Sequence, residues 1–309
     1  MPIKPNYACA FCGQTESPTL VAAQERMFGM GDLFEVAVCP ICESIQLVDV
    51  PENLDKYYPE SYYAHQVLVR ANSFKNFLKK IRYQLFLLTQ GKAFKPIFGE
   101  WMAIAGIGTD DAIADIGCGN GQLLYEMHAA GFWRLKGYDP YLETEKKLGP
   151  EFKLERKSIF EVEEKFDLLM MHHSFEHMSE PAKVLAKAFE TLNPGGKMLI
   201  RVPVADAEIW KSEGANWVQL DVPRHLHIPS VKGLCQLAEE SGFNTQKVVF
   251  DSTAFQFWGT ELYKREMPLR GTDPINEFTG DELKRFGQKA HALNLMMKGD
   301  QACFYFSKT

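Results

Sequence analysis

The chain has 309 residues, of which 46% are apolar and 24% charged, and its net charge is -6. That length is too great for one small module and predicts about two domains, while the composition excludes a disordered or fibrous chain and the charge gives no general pull toward nucleic acid. No uninterrupted apolar run approaches a membrane span, and MPIKPNYACAFCG lacks the basic and apolar regions of a secretory leader, so a cytoplasmic protein with no membrane partner is expected.

Residues 1–55 hold four of the seven cysteines in two tight pairs, Cys9/Cys12 and Cys39/Cys42, while Cys118, Cys235 and Cys303 are scattered. Each Cys-x-x-Cys turn presents two thiolates, and four thiolates in a tetrahedron suit zinc. The segment between the pairs includes the strand-like LFEVAV at 33–38, which fits a zinc ribbon whose two knuckles are bridged by a hairpin. A redox dithiol is the competing reading for one pair; the presence of two favours the metal. An ion saturated by four thiolates has no open position for catalysis, so the expected role is to replace a core that so short a segment cannot supply.

Residues 56–109 read as a helical connector that could cover the substrate. Phe74, Phe77, Leu78, Ile81, Leu85 and Leu88 recur at helical spacing, and two helices are expected, divided near Gly91 to Pro96. The basic run Lys75, Lys79, Lys80 and Arg82 gives slight support to nucleic-acid binding, but such residues also form the solvated face of an amphipathic helix.

From residue 110 to 309 apolar runs alternate with helical patterns. DAIADIG precedes a helix from Gln122, RLKGYD a helix from Leu142, FDLLMMH a helix from Pro181 to Leu192, and GKMLIRVP further helical material; NTQKVVF and ACFYFSK read as two last strands. The alternation predicts an α/β fold with a parallel sheet covered on both faces. After the strand ending at Ile116, Gly117, Gly119 and Gly121 stand on alternate positions before a helix, where glycines let the backbone turn sharply and approach a ligand. Asp139, at the end of the next strand and about 20 residues on, is placed to hold a ribose. Loop and acid imply an adenosine ligand. The spacing G-x-G-x-G favours the S-adenosylmethionine (SAM) form of the loop over the dinucleotide form, with a nicotinamide enzyme as the alternative.

Four segments in order, ADIGCGNG at 114–121, GYDP at 137–140, FDLLMMHHSFEHMSEP at 166–181 and LNPGGKMLIRVP at 192–203, resemble the class I SAM-dependent methyltransferases. The resemblance implies a Rossmann-like seven-stranded sheet whose last strand runs antiparallel and inserts into the sheet edge. It also implies that Gly117, Cys118, Gly119, Asn120 and Gly121 surround the methionine part of SAM, with Asp115 nearby, and that Asp139 and Pro140 lie at the ribose and His172 at the cofactor. The family's acidic adenine contact is missing from RKSIFEV, which leaves Ser158, Ile159 and Phe160 open for that place.

The methyl acceptor is expected at the carboxyl ends of the strands, near HHSFEHM and under a lid formed by residues 204–229, with Trp210, Trp217 and DVPRHLHIPS. Relatives with a Pro-Arg-His-Leu-like string in this region direct interest to Arg224, His225 and His227. If the acceptor must lose a proton, His173, His177, His225 and His227 are the candidate bases, His225 foremost; Glu176 and His177 have the alternative of a structural or cofactor-positioning role. The (Asp/Asn)-Pro-Pro-aromatic string of nucleobase amino methyltransferases is replaced by His172-His173-Ser174-Phe175. Methylation of oxygen or carbon in a small molecule, such as a sugar or glycan precursor, is therefore expected. The chain is similar in this to ribbon-bearing sugar methyltransferases, whose further C-terminal domain has no counterpart here. An RNA methyltransferase with a presenting ribbon, and a noncatalytic SAM- or NAD-binding protein, are the alternatives. No oligomeric state is implied.

Overall fold

The computed structural model describes residues 7–59 and 67–309. Residues 1–6 of the leader reading and residues 60–66 of the expected connector lie outside the described residues. Two Cys-x-x-Cys turns flank an antiparallel hairpin, β1 (Thr19–Gln24) and β2 (Leu33–Val38), and β3 (Ile45–Leu47) adds to β2. Each turn closes on a residue with positive φ just after its second cysteine, Gly13 at 68° and Glu43 at 62°.

Helix α1 (Ser73–Leu88) starts on Asn72, whose side chain accepts from the Lys75 amide. It ends before the left-handed pair Gln90 and Gly91, and α2 (Gly99–Ala105) follows Pro96. The residues that carry the helical period do not face the protein. Phe74, Phe77, Leu78, Ile81 and Leu88 are exposed, whereas Tyr83 and Phe86 are buried and Tyr83 packs against Phe98 and Phe132.

The main sheet is built from β4 (Ile113–Ile116), β5 (Leu135–Tyr138), β6 (Lys146–Lys147), β7 (Phe152–Glu155), β8 (Phe166–His172), β9 (Leu192–Pro203), β11 (Phe243–Phe250) and β12 (Gln301–Lys308), in the order β11-β12-β9-β8-β4-β5-β7-β6. β4, β5, β7, β8 and β9 are parallel, and β12 is antiparallel to both its neighbours. One detail differs from expectation. No helix begins at Leu142; the stretch between Pro140 and Gly149-Pro150 is too short to accommodate several turns, and it folds back as β6 on β7 to make a two-residue eighth strand. β12 is antiparallel and inserted at the sheet edge as expected, between β9 and the outermost strand β11, and residues 301–307 are all buried.

Helices α3 (Gln122–Ala130) and α4 (Pro181–Thr191) cover opposite faces of the sheet. The period of two in β8 shows the division. Leu168 and Met170 pack with Leu124 and Met127 of α3, while Leu169 and Met171 pack with Val184, Leu185 and Ala188 of α4. Cys9, Phe11, Cys39 and Cys42 belong to the second of these cores, so the cysteine knuckles are part of the main hydrophobic interior.

Residues 204–229 are a wall between the ribbon and the sheet rather than a lid. Trp217 and Arg224 have no exposure, and β10 (His227–Ile228) pairs antiparallel with β3, opposite Gln46 and Ile45. The Arg224 guanidinium donates to Glu25 at 2.8 Å, to Asp221 at 2.6 Å and to the Tyr57 carbonyl at 3.3 Å. Glu25 also accepts from the amides of Phe28 and Met30. Both Arg224 and Glu25 are fully buried, so removing one partner strands the other charge. Glu25→Ala should lower stability by roughly 3 kcal/mol in denaturant titration, whereas Lys211→Ala, which breaks the exposed pair with Glu43, should leave the midpoint essentially unchanged.

Candidate functional site

Chain order reverses at β4, which has β5 on one side and β8 on the other, so a crevice opens at its carboxyl end. There Gly117 has φ 75°, and a Cβ on it would lie 2.3 Å from Cβ of Ser174. Ser174 is itself held, its hydroxyl donating to the Ile116 carbonyl at 2.6 Å. The loop also orients the acid: the Gly119 amide donates to Oδ2 of Asp139 and the Tyr141 amide to Oδ1, both at 2.9 Å.

A cavity of 740 Å³ runs from this loop to the wall at residues 218–225, a size suited to burying small ligands. Of the expected cofactor residues it is lined by Gly117, Cys118, Gly119, Asn120, Asp139, Pro140, Ser158, Ile159 and His172, together with Phe160. Gly121 instead caps α3, where a Cβ would meet Leu154 at 2.4 Å. Asp115 lies outside the lining, and its buried Oδ1 has no hydrogen-bond partner among the described residues. Burial, and then the neighbouring Asp139 charge, push the Asp115 carboxyl up to about 8. The Ser158 hydroxyl is occupied by Glu161 at 2.8 Å, which leaves Ile159 and Phe160 as the open side chains for an adenine.

This donor set fits SAM. The Asp139 carboxylate, with the buried Asp115 carboxyl beside it ready to ionise against a positive charge, favours a cationic ligand, and SAM carries an ammonium and a sulfonium.

The four candidate histidines are held differently. His173 accepts from Arg201 through Nε2 at 2.7 Å and donates from Nδ1 to Glu176 at 3.3 Å, so both nitrogens are committed. His227 donates from Nε2 to the Met178 carbonyl at 2.6 Å, lies edge-on to Phe11 and Phe175, and does not line the cavity. His177 donates from Nδ1 to the Arg224 carbonyl, and His225 from Nδ1 to the Gln219 carbonyl, each at 2.8 Å. Both line the cavity, and each has an Nε2 lone pair left over. Burial holds His225 down to about 4 despite Asp221 nearby, so it is neutral at pH 7. Burial likewise opposes ionisation of Glu176, but the His173 bond and the surrounding imidazoles outweigh it and hold the carboxyl down to about 2. His172 packs on Trp101 with centroids 4.4 Å apart, and burial lowers its pKa well below the usual value.

Tyr58, Gln219, Asp221 and Gln301 also line the cavity, although no motif singles them out. Asp221 opens the DVPRHLHIPS string and was within reach of that signal; the hydroxyl of Tyr58 comes within 3.2 Å of Nδ1 of His177 only through tertiary packing.

Among the described residues, two groups of side chains have metal-ligand spacing, with atoms within 4.8 Å of one another: Cys9, Cys12, Cys39 and Cys42, and Glu176, His177 and His225. In the first, Sγ atoms of Cys9 and Cys42 are 3.5 Å apart and those of Cys12 and Cys39 3.6 Å, close to the roughly 3.8 Å between sulfurs on a tetrahedral zinc. The four thiols therefore fit the ion.

Two predictions follow from this geometry. Gly117→Ala should cost about 1–3 kcal/mol of stability through overlap with Ser174 and abolish SAM binding in calorimetry. His225 and His227 are both held down from 6.5 to about 4 by burial. A histidine depressed in the folded state stabilises fully above its unfolded pKa, and the contribution is lost as pH falls. The melting midpoint should accordingly drop between pH 6.5 and 4, and less steeply in His227→Phe, as scanning calorimetry can check.

The family described as Methyltransferase domain matches residues 92–248, just over half of the chain. A tRNA U34 carboxymethyltransferase of Helicobacter acinonychis is 26% identical over 153 residues, 45% of this chain and 58% of that protein; its counterpart in Campylobacter hominis is 30% identical over 106 residues, 31% and 37% respectively. The chain thus spans less than two thirds of the length of these relatives. Among solved structures, a cyclopropane synthase from Mycobacterium tuberculosis aligns with TM-score 0.44 and 15% identity over 76% of this chain and 98% of that one. A SAM-dependent methyltransferase from Mesorhizobium loti aligns with TM-score 0.43 and 13% identity over 68% and 97%. With the family matched across the glycine loop, the acid and the crevice strands, this chain belongs to the methyltransferase-domain family.

Proposed function

We propose that the chain methylates oxygen or carbon of a small molecule, with the acceptor held between the glycine loop and the wall at His177 and His225. The observation that carries this reading is the pair of Nε2 lone pairs on cavity-lining imidazoles whose Nδ1–H groups are pinned to backbone carbonyls. Each ring is fixed in one tautomer and orientation, the state required of a general base. When bound, SAM supplies an electrophilic methyl group. The chain's own residues orient the acceptor, exclude water and, at Nε2 of His225, take up the proton that a hydroxyl or activated carbon acid must lose. His177 and Tyr58 line the same wall and position the acceptor; His173, bonded at both ends, steadies Glu176 beneath them. Zinc on the four cysteines serves as a structural ion: it fixes the two knuckles that pack into the main core and hold the wall in place.

A second reading comes from the names of the curated relatives, which point to an acceptor in tRNA. Incubation with SAM carrying a deuterated methyl group, against a small-molecule extract and total tRNA in parallel, separates the two by mass spectrometry. Label is expected in the extract, and loss of the signal in His225→Ala with unchanged SAM affinity is expected from the base role. Label confined to tRNA would overturn the small-molecule reading; full turnover in both His225→Ala and His177→Ala would overturn the base. Replacing Cys39 and Cys42 with serine should remove bound zinc, read by metal analysis, and lower the melting midpoint.

A further inference from the structure

The apolar stripe of α1 is unaccounted for by the fold or the methyl-transfer site. At about 100° per residue, Phe74, Phe77, Leu78, Ile81, Leu85 and Leu88 form one line along the helix, opposite Tyr83, which anchors α1 to the protein. Phe74 is 68% exposed, Phe77 59% and Leu88 79%, and the loop beyond the helix adds exposed Phe94 and Ile97. A contiguous outward apolar face of this kind marks a surface that meets something other than water.

Charge decides what that is. Residues 61–99 contain seven cations and no Asp or Glu, in a chain whose net charge is -6. On α1 the cations flank the stripe, Lys75 and Arg82 on one side and Lys80 on the other, and Lys75 and Lys80 have no ion pair among the described residues. An apolar line with aromatic residues, bordered by Lys and Arg on both flanks, matches a helix lying in the interface of an anionic bilayer. The aliphatic centre of the stripe, Leu78, Ile81 and Leu88, argues against RNA, whose phosphates would meet the cations but leave those side chains in contact with nothing apolar. None of the described helices is long and apolar enough to cross a membrane, so the contact is with the surface.

We infer that α1 and the loop after it dock this enzyme on an anionic lipid bilayer. The helix lies flat, Phe74, Phe77 and Ile81 enter the acyl boundary, and Lys75 and Lys80 meet the headgroups, while Arg82 holds the following loop through the carbonyls of Phe94 and Lys95. The inference does not depend on which acceptor the cavity takes.

Flotation of the full chain with vesicles of phosphatidylglycerol and phosphatidylcholine, and with phosphatidylcholine alone, tests it. Co-flotation is expected with the anionic vesicles and should weaken roughly tenfold or more without phosphatidylglycerol or at high salt. Phe77→Glu/Ile81→Glu and, separately, Lys75→Glu/Lys80→Glu should each weaken it by roughly tenfold or more, with SAM affinity and melting midpoint unchanged because these side chains are exposed. The inference is overturned if the chain does not float with anionic vesicles, or if the apolar pair of substitutions leaves flotation intact. It is also overturned if light scattering shows a dimer that those substitutions dissociate, or if the cations instead bind total tRNA in a manner indifferent to Phe77→Glu/Ile81→Glu.

Discussion

The Arg224 guanidinium, buried with no exposure, ties three parts of the molecule to one another. Its donors reach Glu25 of the ribbon, Asp221 of the wall and the carbonyl of Tyr57, while its own carbonyl holds His177 in place. A charge so deeply buried is tolerable only when fully paired, so the ribbon cannot detach without exposing a stranded ion. That requirement makes residues 218–225 a rigid wall. The orientation of the two imidazoles facing the cavity therefore depends on a segment nearly 200 positions away in sequence, and the cysteine cluster packs into the same core as the strands beneath the site.

At the other end of the cavity the constraint is steric. Gly117 leaves no room for a Cβ beside Ser174, and the loop so formed points amides at Asp139. Two acids, Asp115 and Asp139, converge at the ends of adjacent strands. The crevice end of the cavity is thus acidic, while the opposite wall offers the imidazoles of His177 and His225.

Much of this was legible in the residues. The glycine spacing, Asp139 and the alternation of strands and helices carry local information: a turn that demands positive φ, or a period of 2 or 3.6, is written in neighbouring positions. The cysteine pairs carry it for the same reason, since two thiols on one turn already share a direction. The expected helix at Leu142 failed because a run of polar residues between two prolines has no period strong enough to separate a helix from a hairpin. The histidines were identified as a group, but His227 and His225, two positions apart, face different surroundings, one between Phe11 and Phe175 and the other the cavity.

By itself, then, the sequence determined the α/β sheet, the cofactor loop and the four-cysteine unit, because these depend on local backbone conformation and spacing. Only the tertiary structure decided which histidines present a free lone pair, that residues 204–229 form a wall and not a lid, and that the stripe on α1 points away from the core. Those outcomes depend on which surfaces meet. Burial, tautomer and the facing of a helix are set by partners far away in the chain, and no local pattern records them.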